Sequence, residues 1–103
     1  MVQVVENWAE VVGTVSDVAP STRGPDWRVV VVEVSTVDNV GGWPNLVRSQ
    51  VDGEQRLVVT CPAAPLQKRD VQPGQRVRGR ARLAGPGQVL AHPDGFAPVG
   101  EPD

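Results

Sequence analysis

Residues 75–83 constrain the fold more than any other stretch of this chain. Val77, Gly79, Ala81 and Leu83 alternate with Arg76, Arg78, Arg80 and Arg82. A period of two puts the small and apolar residues on one face of a strand and the four guanidiniums on the other. No helix can separate these two sets. The segment is therefore a strand with one dry face and one wet face, and the rest of the chain must supply a core against it. The rest is suited to that. Valine dominates the composition, with 11 Gly and 10 Pro in 103 residues. Branched Cβ atoms favour pleated, half-buried surfaces. Gly and Pro mark turns and resist long helices. The chain reads as one all-β domain whose length allows a modest core.

Four more strands follow from the same reading. Residues 9–18 alternate around Gly13, a mid-strand glycine that signals a bend or bulge. Residues 19–26 read as a loop through Pro20, Ser21, Gly24 and Pro25. Residues 27–37 form the second strand, with Glu33 placing the odd positions Trp27, Val29 and Val31 outward. Residues 38–50 are irregular at Gly41-Gly42-Trp43-Pro44, with 46–50 resuming a strand. Asp52-Gly53 is a hairpin-turn signal, because both positions tolerate the positive φ that a type I′ turn demands. Residues 55–61 form the third strand, and residues 63–70 the only candidate helix. After the alternating fourth strand, a Gly-Pro turn leads to a fifth at 88–92. Residues 1–7 and 99–103 are expected to fray, and the tail from Pro93 to be extended or frayed.

That order resembles the OB-fold: five strands with a short helical connection between the third and fourth. The likeness covers roughly residues 8–99. "EVVGTV" is similar to its bent first strand. "VDGEQRLVVTCP" is similar to its hairpin into strand three. "VQPGQRVRGRARLAGPGQVLA" is similar to its last two strands. The resemblance implies a five-stranded OB-type barrel. It also implies a binding location on the outer face of strands two and three, flanked by the loops after strands one and four.

The residues themselves offer three binding features. The first is the arginine row Arg76, Arg78, Arg80 and Arg82, with Arg56 on strand three. Guanidinium forks suit phosphate, and the alternative is pairing with acids of the first strand, such as Glu10. The second is the tryptophans. Trp43 in its Gly-rich loop and Trp27 at the mouth of the first loop are candidates for stacking on bases; the alternative is that they plug or anchor. The third is the run Val29–Val32, apolar on both faces. Outer Val29 and Val31 call for a cover: the 38–50 excursion, a second subunit or a ligand.

These features give two expectations. One is a single-stranded nucleic-acid-binding module. The other is a protein-interaction or assembly module, a homodimer or a subunit of a complex, using the apolar face of strand two. The net charge of −2 is unevenly spread. Residues 1–40 carry six acids and two bases, and residues 67–83 six bases and one acid. A pI near 5.3 weighs against nucleic acid as the default. One histidine and one cysteine cannot assemble a metal site between them, so no cofactor is expected. Cys61 alternates with Leu57 and Val59 and reads as a small hydrophobe, and no catalytic constellation is visible. A lone cysteine forms no internal disulfide, and the first residues lack a leader pattern. No apolar run approaches a membrane span, so the expected compartment is the cytoplasm.

Overall fold

The computed structural model describes residues 6–99. Its strands are β1 (Ala9–Ser21), β2 (Gly24–Asn39), β3 (Arg56–Pro62), β4 (Arg76–Gly85), β5 (Gln88–Ala91) and a two-residue β6 (Ala97–Pro98). A six-residue helix, α1 (Ala63–Lys68), joins β3 to β4. The strands run in the order β1-β2-β3-β5-β4, and β4 returns to pair with β1. Five strands thus close into a barrel-like ring, all antiparallel except the single β3–β5 contact at Thr60 and Leu90. This is the expected all-β arrangement of five strands, with its short helix between the third and fourth.

The ring closes because β1 is bent. Its N-terminal half, Ala9 to Thr14, pairs with β2 on one side and β4 on the other. Its C-terminal half leaves β4 and continues with β2 alone. A Cβ on Gly13 would lie 2.2 Å from the Glu33 carbonyl oxygen, so only glycine allows the crossing. Bulges flank the bend, at Ser16 in β1 and at Ser35 in β2. The second bulge moves β2's buried positions from even to odd, from Val30 and Val32 to Val37. Inside the ring lie Val11, Val15, Val30, Val32, Leu57, Val59, Val77 and Ala81, all with 1% exposure or less.

Four expectations need correction. Residues 19–26 are not a loop: β1 and β2 run on as a two-stranded ribbon to a tight turn at Thr22-Arg23. Residues 46–50 do not resume a strand. Val47 is fully buried and Arg48–Gln50 form a 3-10 turn. The Asp52-Gly53 turn is not type I′, because its left-handed residue is Gln55 (φ 65°) while Gly53 is not left-handed. Asp52 shapes it instead, its Oδ1 accepting from the Glu54 and Arg56 backbone N–H groups at 2.8 and 2.9 Å.

The fourth correction concerns the ends. Residues 1–5 and 100–103 lie outside the described residues, but the neighbouring ones do not fray. Asn7 is fully buried. Its Nδ2 donates to the Leu83 carbonyl at 3.0 Å and its Oδ1 accepts from the Leu83 N–H at 2.8 Å. In the tail, Ala97 and Pro98 extend β4's edge, and Val99 donates to the Arg76 carbonyl at 2.8 Å. Just before them Phe96, fully buried, enters the core against Gly79, where a Cβ would stand 2.4 Å from its ring. Arg69 at the end of α1 holds this segment by donating to the Asp94 and Phe96 carbonyls.

The excursion at 40–55 closes the far end of β2. Its Asn45 and Arg48 side chains both donate to the Val37 carbonyl, at 3.1 and 2.6 Å, satisfying an edge that β3 does not reach. Neither of these hydrogen bonds reaches Val29 or Val31.

Candidate functional site

The bend in β1 divides the outer surface of the ring into two sectors of different chemistry. The register gives each sector row by row.

The first sector spans β4, the N-terminal half of β1 and the C-terminal half of β2. Its rows are Arg76–Thr14–Glu33, Arg78–Val12–Thr36 and Arg80–Glu10–Asp38. The four arginines of β4 do stand on one face, as their alternation requires. Arg76, Arg78 and Arg80 are exposed and Arg82 is half-buried. Glu10 pairs with Arg78, Nε to Oε1 3.6 Å, a contact half open to water and worth at most about 1 kcal/mol. Arg76 reaches the Ser35 hydroxyl, at 3.4 Å. Among the described residues, no carboxylate stands within 4.0 Å of the guanidinium of Arg76, Arg80 or Arg82. Val12 is outward-facing yet 8% exposed, flanked by Arg78 and Thr36, where aliphatic stems of long side chains cover apolar surface.

This sector ends in aromatic rings. The Asn7–Leu83 pair fixes the chain just before β1, and so places Trp8 beside the end of the arginine row. The Arg82 guanidinium lies 5.9 Å from the Trp8 ring centre, and the His92 ring 5.4 Å away at 56°. The Trp8 N–H donates to the Pro44 carbonyl at 3.2 Å, which brings the excursion to the same end. Its Trp43, next in sequence to Pro44, is 45% exposed. Trp8 and His92 were not singled out from sequence as contact residues. The signal was present: Trp8 immediately precedes the strand that must pair with the arginine row.

The second sector spans the outer face of β2's N-terminal half and β3. Its rows are Glu33–Arg56, Val31–Val58, Val29–Thr60 and Trp27–Pro62. Val29 and Val31 are half-buried, and Val58 is 56% exposed. Sequence reasoning missed Val58, although its alternation with Leu57 and Val59 puts it on the outer face. Trp27 belongs to this sector, not to the arginine row. The Arg23 guanidinium sits 4.5 Å over its ring, and a groove lined by Pro25, Trp27, Pro62 and Ala64 separates it from α1. Arg56 also lies apart from the arginines of β4, and is held by Glu54 and, at 3.9 Å, by Asp52. Of the seven sequence candidates for ligand contact, the structure aligns four on one strand face, Arg76, Arg78, Arg80 and Arg82, and ties the backbone beside Trp43 to Trp8 at the end of that row. Trp27 and Arg56 fall on the other face, with Val29 and Val31.

Cys61 is fully buried, and burial pushes its thiol from 9.0 up to about 12. That environment suits a small hydrophobe and not a nucleophile, which needs its thiolate. Among the described residues, no three His, Cys, Asp or Glu side chains converge as a metal site would require, and no helix is long and apolar enough to cross a membrane. Comparison with protein-family models, with curated proteins and with solved structures finds no match for this chain.

Proposed function

We propose that this chain is a non-enzymatic OB-type module that binds single-stranded nucleic acid along β4. The observation that carries this reading is the arginine row itself. Four guanidiniums stand on one strand face, one of them in an ion pair, and the row ends at Trp8, whose backbone N–H donates to the Pro44 carbonyl next to exposed Trp43. Alternate residues of a strand are about 6.8 Å apart, a spacing on the scale of one nucleotide of extended backbone. Guanidiniums at that spacing take successive phosphates, while the rings offer sequence-tolerant stacking to unpaired bases. β4 itself carries four bases and no acid, although Glu33, Glu10 and Asp38 stand in the neighbouring rows and the chain as a whole carries −2. The site lies one sector away from the strand-two and strand-three face that OB-type binders use, because that face is apolar here.

The test is a low-salt fluorescence titration of short DNA and RNA oligonucleotides. Binding that quenches tryptophan emission and is lost in Trp43→Ala and Arg80→Ala supports the assignment. Absence of binding to both polymers removes it.

A further inference from the structure

The outer face of β2 and β3 has chemistry that the arginine row does not use. Its two columns complement each other position by position. The β2 column reads Glu33, Val31, Val29, Trp27, and the β3 column reads Arg56, Val58, Thr60, Pro62. An acid faces a base, valine faces valine, a half-buried valine faces a threonine, and a tryptophan faces a proline. Consider a two-fold axis lying in this surface, parallel to the strands and between them. It sets the β2 column of one copy over the β3 column of the other. Glu33 then meets the second copy's Arg56, Val31 meets its Val58, and the same contacts recur in reverse. That is the self-complementarity an isologous interface requires.

We propose that this face docks a second copy of this chain. The commitment to a second copy rests on the pairing of charges and valines across the two columns. A generic apolar partner would need neither. The excursion's hydrogen bonds to β2 fall at Val34 and Val37, Glu33, Arg56 and Val58 on the face are exposed, and the half-open ion pairs of Arg56 with Glu54 and Asp52 can exchange partners at little cost. The face is small. Two strands about 4.8 Å apart and four rows deep cover far less than the about 800 Å² per partner of a stable complex. The association is therefore weak and depends on concentration. It does not rest on the nucleic-acid reading, which uses the other sector, although the two meet at the row of Arg76, Thr14, Glu33 and Arg56.

The experiment is light scattering and sedimentation over a concentration series into the millimolar range, without nucleic acid. The average mass of the wild type rises from 11.0 kDa towards twice that value. Glu33→Arg places two arginines in each contact row and Arg56→Glu places two carboxylates, so each variant alone stays monomeric. Mixed in equal amounts, the two associate, because each copy now supplies the charge the other lacks. Both positions are exposed, and circular dichroism checks that each variant is folded. A wild type that stays monomeric throughout, a single variant that still dimerises, or a mixture that does not associate overturns the proposal.

Discussion

Removing the Glu10 carboxylate should tighten oligonucleotide binding, and the salt dependence should say by how much. For a single strand, log K falls with log salt by about 0.7 per phosphate neutralised. Three arginines of the row, Arg76, Arg80 and Arg82, have no carboxylate within ion-pair distance among the described residues, while Arg78 shares its charge with Glu10 at 3.6 Å. Three free cations give a slope of about −2, so raising salt from about 50 to about 200 mM weakens binding ~20-fold. Glu10→Gln frees Arg78 and steepens the slope to about −2.8, with higher affinity at low salt. Arg80→Ala flattens it to about −1.4. Arg56→Ala leaves it unchanged, because Arg56 lies on the other sector and is already held by Asp52 and Glu54. The assay is fluorescence anisotropy of a labelled oligonucleotide at several salt concentrations. A slope that does not respond to Glu10→Gln, or one that falls with Arg56→Ala as much as with Arg80→Ala, refutes the placement of the ligand on β4.

Further perturbations test the packing. Phe96→Ala empties the slot against Gly79 and should cost roughly 3–5 kcal/mol, read as a lower urea midpoint with an unchanged m value. Gly79→Ala should also destabilise, since the new methyl meets a fully buried ring, and Phe96→Leu in the same chain should recover part of the loss. The raised thiol pKa of Cys61 has a definite sign. The folded chain keeps the thiol protonated while the unfolded chain ionises above 9.0, so stability is held below that pH and lost as pH rises towards about 12. The slope tends to about 1.4 kcal/mol per pH unit. Denaturant midpoints between pH 8 and 11 should show it, with Cys61→Ala abolishing this component. The absence of tyrosine leaves few other groups to titrate there.

What the sequence made legible were the elements whose pattern is local. The alternation at Arg76–Leu83 fixed both faces of β4, and the expected pairing of the first and fourth strands made Glu10 a candidate partner of the arginine row, where it contacts Arg78. The misread segments depend on contacts across the chain. Residues 19–26 carry Pro20 and Gly24, which mark a loop, yet each strand of the ribbon holds the other and the turn needs only Thr22-Arg23. Val47 is one valine in a polar stretch with no periodicity around it, and its burial depends on Asn45 and Arg48 reaching the Val37 carbonyl. Phe96 stands among Pro93, Gly95 and Pro98, which read as a frayed tail. Its slot exists only because Gly79, seventeen positions earlier, has no side chain.

The separation of the candidate site from Trp27 and Arg56 has the same origin. From sequence, outward-facing positions of one ring share one surface, which groups all seven contact candidates. The bend at Gly13 breaks that assumption. Above the bend, β1 lies between β2 and β4, and its outer face carries Glu10, Val12 and Thr14 towards the arginines. Below it, β1 parts from β4, and the neighbours of β2 become the ribbon and β3. One glycine thereby lets the chain keep a charged outer face and an apolar outer face on the same ring, each with its own neighbours. Charge placed on Val58 should therefore act on self-association and leave the salt slope of the arginine row untouched, whereas Arg80→Ala should do the reverse. If either substitution shifts both properties together, the two sectors are one site and the division drawn from the bend is wrong.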